Sequence, residues 1–185
     1  MTLIICPGIH DPVLTQGFLK GLQREPTHCL IFPAADSLAY SAVHIWQFIQ
    51  PHLSPELPVI FISFSAGVAG AIGAAWMWQL SGGQVKAFIA LDGWGVPLGG
   101  NFPIHRLSHD YFTHWSSVLL GAGEDSFYAD PAVEHLDLWR SPQTVQGWRV
   151  ASDTSTQARS PMTAANFLRQ LIAQYETGDR YSPIS

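Results

Sequence analysis

Ser63-Phe64-Ser65-Ala66-Gly67 joins two segments of opposite character. Before it, Val59-Ile60-Phe61-Ile62 is apolar and largely β-branched, the composition of a strand buried on both faces. After it, Ala66 to Ala75 is built mostly of small residues, as in a helix pressed against a sheet. A serine at a sharp strand-to-helix turn is exposed and held by strain, and its hydroxyl becomes a nucleophile once a base removes its proton. Histidine is the usual base and a carboxylate the usual group to orient it. The candidate carboxylates are Asp92, Asp130 and Asp153, and the candidate histidines are His105, His109 and His114 in HRLSHDYFTH, with His135 beyond them.

Other segments must bring these groups together. Thr2–Cys6 reads as a strand stopped by Pro7-Gly8, followed by a helix from Val13 to Leu22 with an apolar stripe at 14, 18, 19 and 22. Cys29–Phe32 reads as the second strand. Asp36 or Ser37 is placed to cap a helix with the stripe Val43, Trp46, Phe48 and Ile49. The serine strand is third, and Val85–Leu91 is a fourth that delivers Asp92-Gly93 at its end. Alternation of this kind implies a parallel sheet with helices on both faces, and such sheets bind ligands beyond the carboxyl ends of their strands. Ile9-His10, Ser65 and Asp92 all fall at such ends.

Beyond Gly93 the pattern loosens. Gly95–Pro103 reads as a loop, and His109–Leu120 and Pro131–Trp139 as short helices separated by 121–123, with Phe127–Ala129 either a short edge strand or linker. The alternating Thr144–Val150 is the fifth strand expected. Ser160 and Pro161 are placed to open a last amphipathic helix ending near Gly178. Residues 1–185 therefore read as one α/β domain in which 93–141 is an irregular, cap-like insertion.

Composition narrows the function. A formal charge of −5 with only 9 Lys and Arg gives no basic footprint for nucleic acid. No apolar run approaches the roughly 18–20 residues that span a bilayer, and the N-terminus lacks the pattern of a signal peptide. A cytoplasmic protein with no nucleic-acid and no membrane partner is expected. Cys6 and Cys29 read as free thiols.

The serine segment resembles the G-x-S-x-G nucleophile elbow of α/β-hydrolases, with Ser63 in place of the first glycine. The whole chain is similar in length and element order to the small bacterial members of that family, of the serine-esterase type. The resemblance implies a minimal three-layer sandwich with a five-stranded, mainly parallel sheet in the order 2-1-3-4-5. It implies Ser65 as nucleophile, with an oxyanion held by the amides of Ala66 and of Ile9, the latter because Pro7-Gly8-Ile9 resembles the family's loop after the first strand. His10 would line the mouth. The family's chain order of serine, acid and histidine favours Asp92 as the acid, with Asp130 and Asp153 behind it.

The base stays open among four histidines, with His135 first and His109 second, because the family's histidine normally follows the last strand and none occurs after His135. His105, His109, Asp110 and His114 have donors suited to a metal. On a helix, however, His109 and His114 face differently, so no metal is expected. No dinucleotide fingerprint or phosphate loop is present, so no cofactor is expected. Trp94, Phe112 and Trp115 fall where a roof over the site would lie. With few basic residues nearby, they suggest an ester or thioester of a small, largely apolar acyl group. A protein of this fold that only binds or scaffolds is the alternative.

Overall fold

The computed structural model describes residues 1–25, 29–121, 123–152 and 159–177. The first half of the chain follows from local pattern. β1 (Thr2–Cys6) leads to α1 (Pro12–Gly21), where Asp11 accepts a hydrogen bond from the amide of Val13 and Pro12 occupies a first-turn position that lacks a hydrogen-bond partner in any helix. β2 (Cys29–Ile31) leads to α2 (Ala42–Ile49). The cap of α2 is Ser41, not Asp36 or Ser37, because the chain makes a further turn after Pro33 before the helix begins. β3 (Val59–Phe64), α3 (Ala66–Leu80) and β4 (Val85–Leu91) follow, and every residue of β3 is buried.

The alternation of β3 sorts its side chains between two cores. Ile60, Ile62 and Phe64 join Phe18, Leu138, Trp139 and the helix over residues 164–177 on one face. Val59 and Phe61 join Ile45, Val68, Ala71, Ala74 and Trp78 on the other. Helices therefore cover both faces of the sheet. Cys6 and Cys29 are both free, and burial pushes the Cys6 thiol far above its ordinary range.

The described residues form an eight-stranded sheet, not five, in the order β2-β1-β3-β4-β5-β6-β7-β8. β5 (Ile104–Ser108) and β6 (Ser126–Ala129) continue the parallel run, so Phe127–Ala129 lies inside the sheet and not at its edge. α4 (Tyr111–Val118) and α5 (His135–Arg140) follow them, and both are shorter than their sequence patterns suggest. The 93–141 segment thus supplies two interior strands as well as helices. β7 (Gln146–Val150) overlaps the expected fifth strand but pairs antiparallel with β6, and β8 (Arg159–Thr163) pairs antiparallel with β7.

Two physical reasons account for the extra strands. β5 reads IHRLS, and its polar side chains are buried, so it lacks both an apolar run and an alternation. β8 contains Pro161, which reads as a helix start but is tolerated on an edge strand. The last helix, α6 (Ala164–Thr177), begins three residues later than Pro161. Its expected end near Gly178 lies outside the described residues, as does Ala122 of the 121–123 linker.

The serine turn is tight because α3 approaches the end of β1 closely. A Cβ on Gly67 would sit 2.4 Å from the carbonyl oxygens of both Cys6 and Pro7. The other small residues divide their work: Ala71 and Ala74 face the sheet, whereas Gly70 faces Ala39 and Gly73 faces Ala42, at the start of α2.

Candidate active site

Ser65 stands between β3 and α3 with φ 53° and ψ −124°, a conformation that costs an L residue on the order of 1–3 kcal/mol. It persists because its surroundings hold it from both sides. The Ser65 amide donates to the carbonyl of Leu91 (3.0 Å), and its carbonyl accepts from the amide of Val68 (3.0 Å). The hydroxyl does not cap the helix that it starts. Serine at this position usually does cap, so a side chain turned away from the helix amides is free for other work.

Two groups frame the serine. Ala66 is the first residue of α3, and its amide belongs to the turn whose N–H groups have no partner within the helix. The loop after β1 lies against the other side, where a Cβ on Gly8 would come within 3.0 Å of the Ser65 Cβ. Ile9 follows it with a side chain 70% exposed. His10 donates from Nδ1 to the carbonyl of Asp11 (2.9 Å), and its ring tilts against Phe64 and Trp139. Its Nε2 is buried without a hydrogen-bond partner among the described residues.

Asp92 leaves β4 beside Ser65, since Phe64 and Leu91 are register partners in the parallel pair. It too has a positive φ, 49°, and its side chain is almost fully buried. One carboxylate oxygen, Oδ1, accepts from the backbone amide of His109 (2.9 Å). The other, Oδ2, accepts from Nδ1 of His109 and from Nδ1 of His135, both at 2.9 Å. Two imidazoles therefore meet one acid, one arriving from the end of β5 and one from the start of α5.

The two rings differ in what remains. His109 has Nε2 3.6 Å from a carboxylate oxygen of Asp110, the cap of α4. The hydrogen bond to Asp92 raises the His109 pKa, burial opposes the rise, and the charges of Asp92, Asp110 and Glu134 reinforce it. His135 stacks on Phe64, the residue before the serine, with ring centroids 4.6 Å apart. Its Nε2 makes no hydrogen bond to another described residue, and neither ring is hydrogen-bonded to Ser65.

The remaining candidates lie elsewhere. His105 is buried on the α6 face of the sheet, donating from Nδ1 to the carbonyl of Asp125 and accepting at Nε2 from the Tyr175 hydroxyl. Burial lowers its pKa. His114 packs beside Tyr111 and Tyr128, its pKa lowered by burial and by Arg159 and Arg106. Asp130, the residue after β6, accepts from the indole N–H of Trp148 on β7, and Asp153 lies outside the described residues. The His105–His114 set is therefore not a metal cluster. Asp92, His109 and His135 do offer ligand atoms within 4.8 Å of one another and could hold an ion, at the expense of both Nδ1–H bonds to Oδ2.

Phe64 is the position at the candidate site that sequence reasoning missed. It is the flat surface on which His135 and Trp139 stack and against which His10 tilts. Strand alternation signals its direction, since Ile60 and Ile62 share its face. Ser63 points to the other side, where its hydroxyl donates to the carbonyl of Ile89 (3.2 Å) and is wholly buried. No family model matches the chain, and no curated protein is detectably similar to it in sequence.

Proposed function

We propose that the protein is a serine hydrolase of the α/β-hydrolase type, acting on an ester or thioester of a small, largely apolar acyl group. One observation carries the reading. Ser65 occupies a strained left-handed turn in register with Asp92, and Asp92 holds Nδ1 of a histidine whose Nε2 is uncommitted.

In this reading Ser65 Oγ attacks the acyl carbonyl as His135 Nε2 takes its proton. Asp92 fixes the tautomer, because an Nδ1–H bonded to a carboxylate leaves Nε2 as the basic nitrogen. The amides of Ala66 and Ile9 receive the oxyanion, and the protonated His135 returns the proton to the leaving alkoxide or thiolate. Water then repeats the sequence on the acyl-enzyme. The serine–histidine hydrogen bond forms with substrate in place, as catalytic hydrogen bonds often do. His109 buttresses the acid from its far side and holds the second Asp92 oxygen through its amide. Ser63 replaces the family's glycine without intruding on the turn, because its side chain is directed into the sheet.

The rival, a protein of this fold that binds without hydrolysing, draws on the absence of a Ser65–imidazole hydrogen bond. A fluorophosphonate probe separates the two. Hydrolysis predicts one adduct, on Ser65, that disappears in Ser65→Ala and His135→Ala and is weakened in His109→Ala. A folded protein that never labels and leaves short-chain acyl esters intact would end the hydrolase reading.

A further inference from the structure

A serine triad needs one imidazole on its acid, and Asp92 has two. One ligand atom from each of Asp92, His109 and His135 lies within 4.8 Å of the others. Oδ2 of Asp92 is 2.9 Å from Nδ1 of both rings. Ligand atoms bound to a tetrahedral zinc ion at about 2.0–2.1 Å stand about 3.3 Å apart, so small movements of the two rings open the space for an ion.

The surroundings hold each donor as a metal ligand is held. Oδ1 of Asp92 accepts from the His109 amide (2.9 Å), which leaves Oδ2 as the coordinating atom. Asp110 caps α4 through Oδ1, and its Oδ2 stands 3.6 Å from Nε2 of His109. An imidazole bound to metal through one nitrogen donates from the other to such an outer carboxylate. His135 is fixed by its stacking on Phe64. The Asp92 side chain is 2% exposed, whereas that of His135 is 41% exposed and gives an ion its way in. Of the donors that the sequence groups together at 105–114, His109 alone is a ligand here and Asp110 its outer partner.

We propose that Asp92 Oδ2, His109 Nδ1 and His135 Nδ1 form a zinc site, and that zinc bound there shuts off the chemistry of Ser65. Two imidazoles with one carboxylate favour zinc over magnesium and calcium, which prefer all-oxygen sites. On binding, each ring moves its proton from Nδ1 to Nε2 and turns the Nδ1 lone pair to the ion, so no proton is lost. The new Nε2–H of His109 donates to Asp110. Nε2 of His135 then carries a hydrogen and has no lone pair with which to take the proton of Ser65. Zinc and turnover therefore exclude each other. The binding stands on the cluster alone, whereas the shut-off rests on the proposed hydrolase function.

Binding is measured on metal-free, full-length Ser65→Ala protein, by calorimetry with Zn²⁺ and by the visible absorption of Co²⁺. One ion per chain is expected, with the intense bands of a four-coordinate cobalt site. Asp110→Asn, which keeps an oxygen to cap α4, should weaken zinc about tenfold, within the range for loss of an outer partner. His109→Ala and His135→Ala should each weaken it further. His44→Ala, at an exposed position on α2, should leave it unchanged. In the wild type, Zn²⁺ should block fluorophosphonate labelling of Ser65, a chelator should restore it, and Mg²⁺ at the same concentration should have no effect. Absence of saturable binding, binding indifferent to both histidine substitutions, equal binding of Mg²⁺, or labelling that proceeds with zinc bound would overturn the proposal. So would zinc-dependent ester hydrolysis by Ser65→Ala. A wild type that never labels while the cobalt bands appear ends the hydrolase reading and sustains the zinc site; labelling without metal binding does the reverse.

Discussion

Ser65 and Asp92 leave adjacent parallel strands at the same register, and both do so with a positive φ, 53° and 49°. The amide of Ser65 bonds to the carbonyl of Leu91, and the amide of Asp92 to that of Leu107, so each turn is tied to the next strand along. The sheet thus sets the spacing between the proposed nucleophile and its acid. The histidines adapt to that spacing from less regular segments.

Strain at Ser65 is measurable. Glycine takes a positive φ without steric cost, and the strain it relieves, on the order of 1–3 kcal/mol, exceeds the roughly 0.4–1 kcal/mol that its extra freedom adds to the unfolded chain. Ser65→Gly is therefore expected to stabilise the protein by about 1 kcal/mol in urea unfolding while abolishing probe labelling. Ser65→Ala should abolish labelling without the gain. Equal stability in the two variants would contradict a strained turn.

Gly67 is expected to be intolerant. A methyl group 2.4 Å from two backbone carbonyl oxygens cannot be relieved by a side-chain rotation, so α3 must move away from β1. Gly67→Ala should cost roughly 1–3 kcal/mol, the usual range for overpacking. It should also reduce labelling of Ser65 by displacing the Ala66 amide. Thermal unfolding and probe kinetics on one preparation measure both effects.

Placing at position 63 the glycine of the G-x-S-x-G pattern should weaken the protein. Ser63→Gly removes a buried hydrogen bond to Ile89, worth about 1 kcal/mol, and places glycine in an interior strand at a further cost of roughly 0.5–1 kcal/mol. Labelling of Ser65 should persist, because the Ser63 side chain points away from the turn. Loss of labelling would mean that Ser63 is tied to the site.

His109 makes stability depend on pH. Its folded pKa is raised, with the hydrogen bond to Asp92 as the leading cause. A raised pKa stabilises the fold fully below the unfolded value of about 6.5, and the contribution is lost as pH rises through the folded value. Unfolding free energies measured at pH 5.5, 7 and 8.5 should fall across that window by more in the wild type than in His109→Asn. Parallel curves would remove His109 as the cause.

The sequence alone determined the strand-to-helix turn at Ser65, the alternation of the first four strands with helices and the position of Asp92. Each depends on short-range signals: apolar runs, small residues and the punctuation of Pro7-Gly8 and Asp92-Gly93. β5 escaped because a strand covered on both faces can bury His105 and Arg106 once their nitrogens meet carbonyl and hydroxyl partners. β8 escaped because Pro161 is read against a helix cap when no partner strand is known. Only the tertiary structure separates the histidines that reach Asp92 from those that do not. His105 and His109 are four residues apart in sequence, yet the first faces α6 and the second reaches Asp92. His135, separated from Asp92 by β5, α4 and β6, arrives at the same oxygen because three consecutive strands pair in parallel. Convergence of that kind is a property of strand order and register, which no local pattern carries.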